Sequence, residues 1–334
     1  MRRPWPPRRR KEEGRPKDMR DSICVIRMGG IGDLMILSSS LRELKAQNPE
    51  SDLVLATAPE NVDFAHNFTF VDRVIPIHEL PAGNNHFSQR YDLRMAVEPA
   101  NIGEGKLSWE KYISMDRSDI FDELLGVKSK KRFSLRVCPG CRSRADESIL
   151  AGTHAPRIGL MPFSKSPLRS MPLEYIEPLI HVLVRELRAT VFLLGETGGW
   201  ARHLTGLKMP GLVNVANITN VEESIAVSSM LDLIISVDSF GYHMAAALEK
   251  KCLVLFGNID PMTRIKHYPT VEALYPVGEM SCIPCHDVPG ACWYEKNHFE
   301  HRCMKLLTPD RIVAKIQNML PRPSLAGRGQ TFWR

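Results

Sequence analysis

One stretch of the sequence, residues 234–256, limits the possible folds more than any other. An apolar, strand-like run at 234–237 leads into the polar turn Asp238–Gly241, and a small-residue helix and a second apolar run at 252–256 follow. A helix that begins where a strand ends directs its free backbone N–H groups toward the carboxyl edge of that strand, so this corner suits an anionic ligand. The stretch therefore predicts an α/β unit with a binding site at the carboxyl edge of its sheet.

The same alternation of strands and helices extends along most of the chain. Apolar runs predict strands at 23–28, 52–57, 71–77, 91–97, 157–161, 190–194 and 212–216. Helical spacing of apolar residues predicts helices at 34–46, 118–126, 173–187, 222–230 and 309–320. Strands separated by helices of this length indicate parallel sheets with right-handed crossovers. Because the polar stretch 142–156 separates two such halves, we predict two Rossmann-like domains, residues 21–150 and 151–320, that face one cleft.

The positive charge of the chain is concentrated at its two ends. The 334 residues carry a formal charge of +6, and residues 1–20 alone hold seven Arg, two Lys and three acidic residues. Residues 321–334 hold three Arg and no acidic residue, which leaves the part between slightly acidic and argues against a nucleic-acid-binding domain. We predict a disordered basic arm at 1–20 and a loose tail at 321–334, because proline and charge leave little to pack.

The sequence also bears on where the protein acts. No apolar run reaches the length of a membrane span, and no secretion signal accompanies the eight cysteines, so we expect a reducing cytoplasm. The basic arm offers one alternative, which is peripheral contact with the anionic inner face of the membrane.

A glycine-rich turn, Gly29–Asp33, joins the first predicted strand to the first predicted helix. Its glycines lack the spacing of a dinucleotide loop, and Asp33 places a negative charge where a phosphate would otherwise bind. Two interpretations of Asp33 remain open. Its carboxylate caps the following helix, or it is a general base at the floor of the cleft, where glycines let a substrate approach closely.

Two further polar positions follow predicted strands in the second half. The loop after strand 157–161 contains Ser164, Lys165 and Arg169 just before a helix, a combination that suits a pyrophosphate, although loops of this composition are often only solvated. Glu196 follows strand 190–194, where an acid can accept hydrogen bonds from ribose hydroxyls. His243 lies on the helix after Asp238, and such a histidine is either a packing residue or, near the helix start, a ligand contact.

The cysteines suggest a metal site with less force. Cys282, Cys285, Cys292 and Cys303 lie near several histidines in a pattern that resembles a zinc loop. The spacing fits no standard zinc module well, so free or partly oxidised thiols are the alternative to a structural zinc. Cys138-Pro-Gly-Cys141 is a second C-x-x-C motif.

Three segments taken together resemble glycosyltransferase family 9, whose best-known members are lipopolysaccharide heptosyltransferases. They are Arg27–Leu34, Ser164–Pro172, and Ser236–Leu248 with the following Leu255–Pro261. The third is the most specific, because D-S, His, A-A-L and F-G-x-x-D-P occur in that order. The resemblance extends from about residue 22 to residue 320.

The resemblance implies a GT-B fold, with an acceptor domain first and a nucleotide-sugar domain second. It also implies an inverting, metal-independent transfer from a nucleotide-diphosphate sugar, first of all an ADP-sugar, to a glycan or glycolipid in lipopolysaccharide biosynthesis. By position, Asp33 matches the catalytic base of the family. The donor-binding positions that it implies are Ser164, Lys165, Arg169, Glu196, Asp238, Ser239, Gly241 and His243.

Some positions depart from the family pattern and indicate a divergent branch. Phe240 occupies a usual glycine, Arg169 a usual lysine and Met171 a usual tryptophan. The donor sugar can therefore differ from ADP-heptose. Two other functions stay open at this point: a nucleotide-sugar epimerase of similar shape, and a nucleotide-binding protein without transferase activity, which Phe240 makes plausible.

Overall fold

The computed structural model describes residues 22–83, 86–98, 108–197, 199–286 and 302–320. The strands are Ser22–Arg27 (β1), Asp52–Thr57 (β2), Arg73–Pro76 (β3), Gln89–Asp92 (β4), Arg157–Met161 (β5), Thr190–Leu193 (β6), Leu212–Asn214 (β7), Leu233–Val237 (β8), Lys251–Leu255 (β9) and Val271–Leu274 (β10). The α-helices are Ile31–Gln47 (α1), Val62–Ala65 (α2), Trp109–Ser114 (α3), Arg117–Leu125 (α4), Pro139–Ser148 (α5), Leu173–Glu186 (α6), Val221–Ser228 (α7), Phe240–Ala247 (α8), Met262–Ile265 (α9), Arg302–Lys305 (α10) and Pro309–Met319 (α11). The predicted basic arm and tail, residues 1–20 and 321–334, lie outside these ranges.

The strands form two parallel sheets, which confirms the predicted α/β architecture. The first sheet has the order β3-β2-β1-β4, and the second has the order β10-β9-β8-β5-β6-β7. Every residue of β1 and β8 is buried, as expected for strands in the interior of a parallel sheet whose two faces are covered. The first sheet uses residues up to 92 and the second starts at 157, while a domain boundary at residue 150 remains a prediction.

Helix α1 shows how the local sequence determines an element. Its leucines at 34, 37, 41 and 44 are buried, as the helical spacing predicts. The helix begins at Ile31, and its N-cap is Gly30, without any side-chain hydrogen bond to the cap. The interpretation of Asp33 as the helix cap is therefore wrong, because Asp33 already lies inside the first turn.

Two segments differ from the sequence prediction. The predicted strand 91–97 is shorter, since pairing ends at Asp92 and Met95 has a positive φ of 56°. Leu93 and Val97 are buried in the core, but they belong to a turn and not to a strand. The polar stretch 142–156 contains most of helix α5. The sequence lacks a helical spacing of apolar residues here, because only Cys141 and Ala145 of this helix are buried.

The carboxyl edges of the two sheets face each other. Helix α1 starts where β1 ends and helix α8 starts where β8 ends, and the two helices are in contact. The approach is close, because a Cβ on Gly32 of α1 would lie 3.2 Å from Cδ2 of His243 on α8. The rings of Phe64 and Phe240 also meet edge to face, with centroids 5.4 Å apart. In the part of the chain that the structure describes, no helix has both the length and the apolar character to cross a bilayer.

Candidate active site

The carboxylate of Asp33 lies between two arginines. Its Oδ1 is 3.3 Å from Nη2 of Arg27 and 3.4 Å from Nη1 of Arg117. Burial favours the protonated acid, but the charges of Arg27 and Arg117 outweigh it and hold the pKa of Asp33 below its usual range. The side chain keeps 20% of its surface exposed. At neutral pH Asp33 is therefore an ionised carboxylate that a ligand can reach.

Arg27 is fixed by contacts other than the one with Asp33. Its guanidinium forms two hydrogen bonds with Glu98, of 2.7 and 3.2 Å, and donates a third, of 2.9 Å, to the carbonyl of Leu93. The side chain is only 1% exposed. A guanidinium with a bidentate partner is rigid, so Arg27 fixes the position of the Asp33 carboxylate without being available to a ligand.

On the second half, Asp238 joins the end of β8 to the loop that follows β5. Its Oδ2 is 3.2 Å from Nη1 of Arg169, and Tyr242 donates a hydrogen bond of 3.3 Å to its Oδ1. Burial opposes ionisation of Asp238, but the charges of Arg169 and Arg264 lower its pKa. The structure thus brings together two residues that the sequence proposed for donor binding, Asp238 and Arg169, as an ion pair.

His243 is buried at the contact between the halves. The side chain is 5% exposed, and its Nδ1 is 2.7 Å from the hydroxyl of Tyr268. Burial lowers the pKa of His243 to about 3, so the imidazole is neutral at physiological pH. His243 is thus a packed, hydrogen-bonded residue beside Gly32 in the first turn of α1, and its contact with a ligand stays a prediction.

Packing around the start of α8 accounts for Gly241 and Phe240 in the turn after β8. Ser239 is the N-cap, and its side chain makes no capping hydrogen bond. A Cβ on Gly241 would lie 2.6 Å from both Sδ of Met161 and Oγ of Ser236, so packing alone requires glycine here. Phe240 contacts Phe64 of the first half, which gives this residue a structural role that the sequence did not suggest.

The remaining predicted donor-binding residues lie at the same sheet edge. Ser164 is held by a 2.9 Å hydrogen bond from its backbone N–H to Oγ of Ser170. Lys165 and Glu196 are exposed, and within the described residues neither forms a hydrogen bond or an ion pair. Both side chains are therefore available to a ligand. The contacts of the described chain do not join Ser164, Lys165 or Glu196 to the Asp33 and Asp238 groups.

Two arginines that the sequence analysis did not single out complete the charge pattern. Arg117 follows the N-cap Asp116 of α4, and no sequence signal marks it. Arg264, four residues after Asp260, is 3% exposed, and its Nε and Nη2 have no hydrogen-bond partner among the described residues. Burial and the nearby charge of Arg117 lower the pKa of Arg264. Two neighbouring cations with unsatisfied N–H groups are suited to bind an anion.

The predicted zinc loop is described only in part. Cys292 lies outside the described residues, and Cys282, Cys285 and Cys303 form no disulfide within the described ranges. Within the described ranges, no cluster of three or more candidate metal ligands includes them. A structural zinc at these four cysteines therefore stays a prediction.

Comparison with known proteins now decides the family. The sequence profile of "Glycosyltransferase family 9 (heptosyltransferase)" matches residues 108–287, more than half of the chain. The chain belongs to glycosyltransferase family 9. Lipooligosaccharide heptosyltransferase 2 of Campylobacter jejuni is 26% identical to this family 9 protein over 119 residues, which cover 36% of this chain and 34% of that protein. The alignment thus spans about a third of the length of the curated relative.

Solved structures confirm the GT-B fold of this family 9 member. The ADP-heptose lipopolysaccharide heptosyltransferase II of E. coli has a TM-score of 0.65 at 18% identity, over 89% of this chain and 98% of that one. A family 9 glycosyltransferase from Veillonella parvula has a TM-score of 0.68 at 13% identity, over 92% and 99%. The iron-containing dodecameric glycosyltransferase TibC of enterotoxigenic E. coli has a TM-score of 0.67 at 13% identity, over 90% and 78%. Sequence identities this low show only that the fold is shared.

Proposed function

We propose that this family 9 protein is an inverting, metal-independent glycosyltransferase. It moves a heptose-like sugar from a nucleotide-diphosphate donor to a hydroxyl of a glycan or glycolipid at the cytoplasmic face of the membrane. An ADP-sugar is the first donor to test, because one of the solved relatives is named for ADP-heptose. The observation that carries the proposal is the position of the ionised Asp33 of α1 beside His243 and close to the start of α8.

In the proposed reaction Asp33 is the general base. The acceptor oxygen forms a bond to the anomeric carbon, the bond from that carbon to the diphosphate oxygen breaks on the opposite face, and the hydroxyl proton passes to the Asp33 carboxylate. A carboxylate with a lowered pKa is a weak base toward a free alcohol. It is sufficient here because the oxygen becomes acidic as its new bond forms, so the proton moves late.

The diphosphate leaves from the second half of the protein. Lys165 is exposed, and Arg264 is buried with unsatisfied N–H groups. Both can therefore stabilise the negative charge that develops on the diphosphate without first breaking an ion pair of their own. The N-terminus of α8 adds backbone N–H groups to the same edge. Fixed cations and N–H groups of this kind stabilise a leaving diphosphate, the role that a divalent metal fills in other transferases.

Replacement of Asp33 by asparagine tests the proposal. Asp33→Asn keeps the shape of the side chain but removes its ability to accept a proton, and Arg27 keeps Glu98 as its partner. We expect transfer of the sugar to fall by about 10²–10⁴-fold, the usual contribution of a general base, while the Kd for the donor changes by less than about threefold. Release of nucleoside diphosphate in the presence of acceptor measures the first quantity, and calorimetry measures the second.

Asp63→Asn is the matched control, because Asp63 is an exposed aspartate in the short helix α2 of the same half. It should leave both quantities unchanged. A loss of transfer smaller than about tenfold in Asp33→Asn would remove Asp33 from the role of base. A changed sugar released in the absence of any acceptor would instead indicate an epimerase.

A further inference from the structure

A group of three potential metal ligands, none of them among the residues proposed for the reaction, lies between α5 and α7. Cys138 is the N-cap of α5, and its Sγ accepts a 3.3 Å hydrogen bond from the backbone N–H of Cys141. Sγ of Cys141 is 3.9 Å from Oε2 of Glu222, which belongs to the first turn of α7. The three ligand atoms all lie within 4.8 Å of one another.

Helix α5 supplies the conditions under which thiols bind metal ions. The hydrogen bond between the two thiols lowers the pKa of Cys138, and the N-terminus of a helix also favours a thiolate. Burial raises the pKa of Cys141 to about 12, but a coordinated thiol loses its proton to the cation's charge. Nη2 of Arg144 lies 3.6 Å from Sγ of Cys141 and offsets part of the negative charge of two thiolates and a carboxylate.

We propose that Cys138, Cys141 and Glu222 bind a thiophilic divalent cation of the Zn²⁺ class, which joins α5 to α7. A tetrahedral zinc with bonds of about 2.3 Å to sulfur and about 2.0 Å to oxygen holds neighbouring ligand atoms roughly 3.5–3.8 Å apart. The observed separation of 3.9 Å between Cys141 and Glu222 already approaches this value. Small side-chain rotations complete the site, and water fills the fourth position.

The ligand chemistry indicates which cation the site binds, and it favours this site over the second cluster of potential metal ligands. Two thiolates with one carboxylate suit zinc and exclude magnesium and calcium, which prefer oxygen ligands. A second cluster, formed by Asp116, Asp119 and His267, is a poor site by comparison. Its Asp119 already binds the ammonium groups of Lys131 and Lys266, each at 2.9 Å, so positive charge is present there without a metal ion.

Cobalt titration of the full-length, reduced and chelator-treated protein tests the proposal, because thiolate-to-cobalt charge transfer reports sulfur ligands directly. The decisive variant is Glu222→Gln, which leaves every cysteine in place. We expect it to weaken cobalt affinity by about tenfold or more, since even outer groups of metal sites contribute that much. Glu223→Gln is the control: Glu223 forms a capping box with Asn220, and glutamine preserves that motif, so affinity should stay at the wild-type value.

Two double cysteine variants distinguish this site from the predicted zinc loop. The double variant Cys282→Ser/Cys285→Ser should keep the charge-transfer band that Glu222→Gln weakens, and Cys138→Ser/Cys141→Ser should lose it, with folding of each variant checked by circular dichroism. Wild-type cobalt affinity in Glu222→Gln would overturn the proposal. Discovery of a Cys138–Cys141 disulfide in protein alkylated at the moment of cell lysis would overturn it as well.

Discussion

Mild acid should destabilise this protein through His243. This imidazole is 5% exposed and accepts or donates a 2.7 Å hydrogen bond with the Tyr268 hydroxyl. Burial lowers its pKa from 6.5 to about 3. As the pH falls below 6.5, the unfolded chain binds a proton at this position and the folded protein does not. Stability is therefore lost as the pH falls from the unfolded pKa toward the folded pKa.

The magnitude follows from the two pKa values of His243. At pH 7.5 the residue is neutral in both states, and its contribution to the pH dependence is close to zero. At pH 5.0 the unfolded histidine is about 1.5 pH units below its pKa, which corresponds to a loss of about 2 kcal/mol at 1.36 kcal/mol per unit. The result depends little on the folded pKa, because pH 5.0 is still well above a value of about 3.

Urea unfolding of wild type and His243→Gln at pH 7.5 and pH 5.0 measures this effect. Between the two pH values, the variant should lose about 2 kcal/mol less stability than wild type, because glutamine does not titrate. His286, whose pKa burial lowers to about 4, contributes equally to both proteins and cancels in the comparison. His78→Gln, at an exposed position, should reproduce the wild-type loss. Equal losses in wild type and His243→Gln would show that His243 is protonated in the folded state, and would refute the argument from burial.

Two further substitutions test the packing and the charge of the sheet edge. Gly241→Ala should destabilise the protein by about 1–3 kcal/mol in urea unfolding, because its Cβ would lie 2.6 Å from Met161 and Ser236, whereas Gly206→Ala meets nothing within 4 Å and should be nearly neutral. An unfolding midpoint of Gly241→Ala equal to that of Gly206→Ala would contradict the packing argument. Lys165→Ala should leave stability within about 0.5 kcal/mol of wild type, because the side chain is exposed and without partners in the described chain, yet weaken nucleoside diphosphate binding about tenfold in calorimetry. Unchanged binding would remove Lys165 from the donor site.

The fold could be predicted from the sequence because its signals are local. Buried leucines at helical spacing predict α1, and continuous apolar runs predict the interior strands. Gly126, with its φ of 65°, ends α4 as its position predicts. The sequence prediction was incomplete or wrong where the local signal was absent or misleading. Helix α5 is polar on most of its surface, so no apolar periodicity marks it, and the apolar residues after Asp92 enter the core from a turn and not from a strand.

The sequence by itself determined the two-sheet architecture and the family resemblance, because periodicity, glycine turns and short motifs act within a few residues. Only the tertiary structure decided the partners of the charged groups. Arg117 reaches Asp33 across 84 residues of sequence, and Glu222 reaches Cys141 across 81. Such pairs form where helices from distant parts of the chain pack together, and nothing in the local sequence of Arg117 or Glu222 records that contact. The chemistry of both sites depends on these long-range contacts.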